Sequence, residues 1–167
     1  MVCLVTILLV SHVLCIILTS YPIQEDQKNV SIKPGNNIAG SILVLDDDFD
    51  INMLIKISLQ KIGYDVFGFT NPLLALEHFR INHQTYSLAI VDIRMPAMDG
   101  FEFAKNISRI KPEIKVILTT AFDVNDDLLL MNTKYNNNVI GIIQKPISPK
   151  KLAKIVYETG TKPSLGI

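Results

Sequence analysis

Four short apolar runs in this chain each end on a residue able to handle charge. Ser41-Ile42-Leu43-Val44-Leu45 leads into Asp46-Asp47-Asp48, and Leu88-Ala89-Ile90-Val91 leads into Asp92. Val116-Ile117-Leu118-Thr119 leads into Thr120, and Ile140-Gly141-Ile142-Ile143-Gln144 into Lys145. Such runs predict β-strands. Between them the apolar positions change to helical spacing. Ile51, Leu54, Ile55, Leu59 and Ile62 recur along one helix side, with Lys56 and Gln60 opposite and Gly63 as the stop. Tyr64 to Phe69 is β-branched and aromatic enough for a further strand. Asn71-Pro72 opens a second helix with proline at its first position. Phe103, Ile107 and Ile110 mark a third, ended by Lys111-Pro112. A weaker fourth pattern lies between Asn125 and Tyr135. Ser148-Pro149 starts a fifth, with Leu152, Ile155 and Val156 inward and Lys150, Lys151 and Lys154 outward. This alternation predicts a doubly wound α/β domain with helices on both faces of the sheet.

In an open parallel sheet the carboxyl ends of the strands line one crevice, and ligands bind there. Asp46, Asp47, Asp92, Thr120 and Lys145 would therefore converge from distant parts of the chain. Several carboxylates, one hydroxyl and one ammonium suit a divalent cation and a phosphoryl group. Singly, each piece has an ordinary explanation. An acidic run is usually a solvated loop, an aspartate after a strand a helix cap, and Lys-Pro a turn. The set is harder to explain that way.

Four segments together resemble the receiver domain of two-component response regulators, from about Gly40 to Gly160. They are Ile42-Leu43-Val44-Leu45-Asp46-Asp47-Asp48, Val91-Asp92-Ile93-Arg94-Met95-Pro96-Ala97-Met98-Asp99-Gly100, Leu118-Thr119-Thr120-Ala121 and Gln144-Lys145-Pro146. Any one is weak evidence, whereas all four in order are specific. The resemblance implies a flavodoxin-like five-stranded parallel sheet of order 2-1-3-4-5. It implies that Asp92 accepts a phosphoryl group from a histidine kinase or phosphotransfer protein, forming an acyl phosphate. Such transfer depends mainly on positioning and charge stabilisation. Mg²⁺, which favours hard oxygen ligands and keeps several waters, is the implied cofactor. By the same resemblance Asp47 and Asp92 hold it directly, Asp46 acts through a water, and the Arg94 backbone carbonyl completes the protein ligands. Lys145 would pair with a phosphoryl oxygen as a compact charge, and Thr120 would donate its hydroxyl to another. Phosphorylation would then favour an active surface around the fourth helix and fifth strand. Receivers commonly hold the Lys-Pro bond corresponding to Lys145-Pro146 in cis. In the turn after Asp92, Pro96 presets φ and Gly100 is expected to supply a positive φ where the third helix begins.

Two positions depart from or vary within that pattern. Receivers usually carry Tyr or Phe three residues before the lysine, where this chain has Ile142. An isoleucine fills a pocket but cannot swing a ring with a polar tip. Arg94 carries a long cationic side chain expected to border the phosphoryl site. A degenerate receiver, used as an unphosphorylated interaction module, is the alternative reading. A haloacid-dehalogenase-like phosphatase would use Asp46 as nucleophile and Asp48 as general acid. That family expects Thr or Val where Asp50 stands, and an acidic pair after the lysine where only Glu158 follows.

The amino end reads separately. Residues 1–21 form a nearly continuous apolar segment close to the ~20 residues that span a bilayer. It lacks the basic start of a secretory signal. Lys28 and Lys33 follow it, which favours an anchor with the receiver on the cytoplasmic side. A cleaved signal peptide and a misassigned translation start are the other readings. Residues 22–39 read as a polar linker, 40–160 as the receiver and 161–167 as a tail, with no output domain following. A separate effector is therefore expected, and "enzyme" does not suit the chain. Lysine plus arginine equals aspartate plus glutamate at 16 each, so no basic surplus supports direct nucleic-acid binding. Cys3 and Cys15 fall in the apolar segment, and His12, His78 and His83 lack metal-ligand spacing.

Overall fold

The computed structural model describes residues 40–122 and 138–163. The helix expected between Asn125 and Tyr135, the segment 1–21 and the linker 22–39 lie outside the described residues. The elements run β1 (Ser41–Leu45), α1 (Phe49–Gln60), β2 (Val66–Phe69), α2 (Pro72–Asn82), β3 (Tyr86–Asp92), α3 (Gly100–Ile110), β4 (Lys115–Thr120), β5 (Val139–Gln144) and α4 (Pro149–Glu158). All strand pairs are parallel, in the order β2-β1-β3-β4-β5. This is the flavodoxin-like order expected from the sequence.

Continuous apolar runs form the central strands because both faces of the sheet are covered. Leu43, Leu45, Ala89, Val91, Val116 and Leu118 point to one face, against Ala75 and Phe79 of α2 and Phe103 and Ile107 of α3. Ile42, Val44, Leu88, Ile90 and Ile117 point to the other, against Ile55 and Leu59 of α1 and Leu152 and Val156 of α4. Each helix starts on a side-chain cap. Asp48, Asn71, Asp99 and Ser148 accept hydrogen bonds from the first free N–H groups of α1, α2, α3 and α4. Proline occupies the first turn of α2 and of α4, where its missing N–H costs nothing.

Three sequence expectations are corrected. The second strand begins at Val66 rather than Tyr64; the Tyr64 ring is buried and its hydroxyl donates to Thr161 O at 3.0 Å. Leu54 of α1 is exposed, Ile62 falls beyond the helix end and is exposed too, and the buried positions of α1 are Asn52, Ile55 and Leu59. Asn52 belongs there because its amide donates to Phe69 O at 2.7 Å, tying α1 to the end of β2. Gly100 does not adopt a positive φ; Ala97 does, at 69°. Gly100 is required for space, since a Cβ there would lie 2.3 Å from the Asp92 carbonyl oxygen.

Candidate functional site

Strand register assembles the site. Leu45 pairs with Val91, so Asp46 and Asp92 follow side by side at the ends of β1 and β3. Asp92 itself pairs with Thr119 of β4, and Thr120 pairs with Gln144 of β5. Beyond β5, Lys145 N donates to Thr120 O at 2.7 Å, which fixes where the lysine leaves the sheet. The Lys145-Pro146 peptide that follows is cis.

From there the lysine side chain reaches back across the crevice. Its Nζ lies 2.6 Å from Asp92 Oδ1 and 2.7 Å from Asp46 Oδ2. All three side chains are largely withdrawn from solvent, at 13% exposure for Lys145, 7% for Asp92 and 1% for Asp46. Asp92 Oδ2 accepts from Arg94 N at 2.8 Å, and Asp46 Oδ1 from Asp48 N at 3.1 Å. Among the described residues Asp46 Oδ2 takes no hydrogen bond beyond the ion pair. Burial pushes the Asp46 carboxyl above its ordinary 3.8, against the lowering effect of the Lys145 ammonium. For Lys145, burial acts to lower the pKa, but the hydrogen bonds and charges of Asp46 and Asp92 outweigh it and hold the ammonium above 10.5. Two carboxylates share one cation, so the buried cluster carries net negative charge.

The other expected residues stand at different distances from this cluster. Asp47 is exposed at the crevice rim. Asp48, the third acid of the run, caps α1 by accepting from Asp50 N and Ile51 N. Thr120 is buried, and its Oγ1 accepts from Phe122 N at 3.1 Å. The Arg94 guanidinium stacks 4.2 Å above the Phe122 ring, so it joins the loop after β3 to the loop after β4. The sequence reading missed Phe122; its only signal was its place two residues after Thr120. Ile142 lies against the core face that contains Leu118, its partner in the β4–β5 register.

Among the described residues no three His, Cys, Asp or Glu side chains stand close enough together to hold a metal as they are. The donor chemistry nevertheless fits a hard divalent cation. Asp46 and Asp92 are buried carboxylates, Asp46 Oδ2 has no hydrogen-bond partner among the described residues beyond its ion pair, and the exposed Asp47 follows Asp46 in the chain.

Known proteins align with this geometry. The sequence model described as the response regulator receiver domain matches residues 42–157. The response regulator receiver protein CpdR of Brucella abortus is 38% identical over 81 residues, covering 48% of this chain and 66% of that protein. Sporulation initiation phosphotransferase F of Bacillus subtilis is 35% identical over 81 residues, covering 48% of this chain and 64% of that protein. The matched regions thus span at most about two thirds of these relatives, and only 25% of the transcriptional regulatory protein ZraR of Klebsiella oxytoca. Among solved structures, a CheY-like receiver domain protein of Methanospirillum hungatei superposes with a TM-score of 0.64 at 26% identity, covering 72% of this chain and 92% of that one. Chemotaxis protein CheY4 of Vibrio cholerae shares the fold with a TM-score of 0.64 at 23% identity, over 71% of this chain and 97% of that one. With its five-stranded sheet in the order 2-1-3-4-5 and the paired Asp46, Asp92 and Lys145 at the strand ends, the chain belongs to the response regulator receiver family.

Proposed function

We propose that the chain is a single-domain response regulator that accepts a phosphoryl group on Asp92 from a histidine kinase or phosphorelay partner. The observation that carries this reading is the Lys145 Nζ held 2.6 Å from Asp92 Oδ1 at the carboxyl edge of the sheet. An Asp92 oxygen forms the new P–O bond as the donor's bond to phosphorus breaks. The donor imidazole keeps that electron pair and takes up a proton. Lys145 offsets the charge that the phosphoryl oxygens bring into a buried crevice. Arg94 N orients the Asp92 carboxylate. The Thr120 hydroxyl, which accepts from Phe122 N, keeps its own proton to donate to a phosphoryl oxygen. Asp46, Asp47, Asp92 and the Arg94 carbonyl would hold Mg²⁺, which supplies charge neutralisation at the phosphoryl group.

The receiver corresponds to residues 40–160 and signals to a separate effector protein rather than to nucleic acid directly. The name of the Bacillus relative, a phosphotransferase, supports a relay role. No helix among the described residues is long and apolar enough to cross a membrane; the proposed anchor is the apolar segment 1–21.

Intact mass spectrometry of the chain after incubation with acetyl phosphate tests the site. A single phosphate adduct is expected with Mg²⁺, absent without it and absent in Asp92→Asn. A folded protein that takes up no phosphate would sink the reading in favour of an unphosphorylated interaction module. Turnover of phosphate monoesters lost in Asp46→Asn would point to the hydrolase instead.

A further inference from the structure

The end of the sheet opposite Asp92 carries a second polar cleft. It has a volume of about 200 Å³ and is lined by Ser87, Lys111, Glu113, Lys115, Thr161 and Lys162. Three lysines face one glutamate there. Two of the ammonium groups are fixed by neutral acceptors. Lys111 Nζ donates to Tyr86 O at 2.7 Å, and Lys115 Nζ donates to Thr159 O. A carbonyl uses one donor of an ammonium and leaves its charge uncompensated. Lys111 is only 12% exposed, while its nearest acid, Glu113, stands 4.0 Å away with its side chain 71% exposed. Among the described residues neither Lys115 nor Lys162 forms an ion pair with a carboxylate.

A second observation is independent of charge. Ser87 Oγ is buried and has no hydrogen-bond partner among the described residues. An unpartnered buried hydroxyl is costly, and native structures usually satisfy one with a ligand or ordered water. Here it belongs to a residue lining a cationic cleft. Tyr64 OH and Thr159 Oγ1 each hydrogen-bond to Thr161, which holds the carboxyl-terminal side of the cleft in place. Two of its three cations, Lys111 and Lys115, are held by folding, so a ligand need not supply their ordering.

We propose that this cleft binds a phosphate group, free or carried on a small monoester, at a site separate from Asp92. Net positive charge selects a dianion, the Ser87 hydroxyl gives an oxygen acceptor a short-range partner, and the volume leaves room for a small substituent.

Amide NMR of the ¹⁵N-labelled full chain in chelator, without Mg²⁺, tests this. Inorganic phosphate, methyl phosphate and sodium chloride are titrated at matched ionic strength. Saturable shifts at Ser87, Gly160 and Thr161 with either phosphate, but not with chloride, are expected. A response to both phosphates assigns the group in either form; a response to the inorganic ion alone assigns free phosphate. Ser87→Ala should weaken binding about tenfold, as loss of one charge-assisted hydrogen bond implies. Its unfolding midpoint without phosphate should be unchanged or raised, because an unsatisfied buried group is removed. Lys162→Gln, at an exposed position, should weaken binding several-fold without affecting folding. Three results overturn the proposal: equal response to chloride, saturation at Thr120 and Lys145 in place of Ser87, or a Kd unchanged in both variants.

Discussion

Lys145 Nζ sits 2.6 Å from Asp92 Oδ1, and the same ammonium lies 2.7 Å from Asp46 Oδ2. One cation therefore serves two buried carboxylates. Replacing it with the apolar Lys145→Met leaves both acids unpaired, which costs on the order of 3 kcal/mol for a buried pair. Urea unfolding at pH 7 in chelator should show that loss. A loss well under 1 kcal/mol would mean that the crevice is wetter than its burial indicates.

Removing an acid should act in the opposite direction. The folded-state pKa of Asp46 lies above 3.8, with burial as the main cause. The native protein thus holds this proton more tightly than the unfolded chain. That gives stability below pH 3.8, which is lost as pH rises through the folded value. At pH 7 the ionised Asp46 counts against the fold. Asp46→Asn should match wild type or exceed it by on the order of 1 kcal/mol in chelator. Its stabilisation by added Mg²⁺ should be smaller than that of wild type. Calorimetry with and without Mg²⁺ measures both effects, and a strongly destabilised variant would contradict the sign.

The alkaline limb has the same sign for three other groups. Burial raises Tyr86 and Tyr64 above 10.0, and Lys145 is held above 10.5 by its two carboxylates despite burial. Each keeps its proton longer in the native state, so the stability each gives is lost as pH rises past the unfolded value. Unfolding free energy should fall above pH 10, by up to about 1.4 kcal/mol per pH unit for each proton concerned. Tyr86→Phe should cost about 1 kcal/mol at pH 7, because its hydroxyl is 3.0 Å from His78 Nδ1. It should also make the alkaline fall shallower. An unchanged slope would remove Tyr86 from the account.

Gly100 presses on the phosphoacceptor's own backbone. A Cβ there would lie 2.3 Å from Asp92 O and 2.9 Å from Ile93 Cα. Both are main-chain atoms, so relief requires moving the end of β3. Gly100→Ala should cost about 2 kcal/mol and slow phosphate uptake from acetyl phosphate. Wild-type uptake at that position would show that the α3 start can shift without moving Asp92.

Much of the architecture was legible along the chain, and particular residues show where legibility stopped. Asn71-Pro72 and Ser148-Pro149 read directly as helix starts, since a cap and a first-turn proline act within a few residues. The α1 stripe read less well. Apolar spacing placed Leu54 and Ile62 inward, but the sheet covers only the face bearing Asn52, Ile55 and Leu59. Spacing shows which residues share a face, not how wide a strip the neighbours cover. The acidic triplet was similarly undivided. Only the folded chain separates buried Asp46, exposed Asp47 and Asp48, whose side chain turns back to cap α1. Gly100 was flagged for a conformation it does not adopt, because the crowding comes from Asp92, which is not its chain neighbour.

By itself the sequence determined the alternation of strands and helices, the two helix starts marked by Asn71-Pro72 and Ser148-Pro149, and the residues available at the carboxyl edge, because period, capping and proline geometry act over a few residues. Tertiary structure alone decided that Lys145 bridges Asp46 and Asp92, that Arg94 stacks on Phe122, and that Ser87 shares a cleft with three lysines. Those relationships depend on register between strands distant in the chain and on which groups lose their water, and neither is encoded in any local pattern.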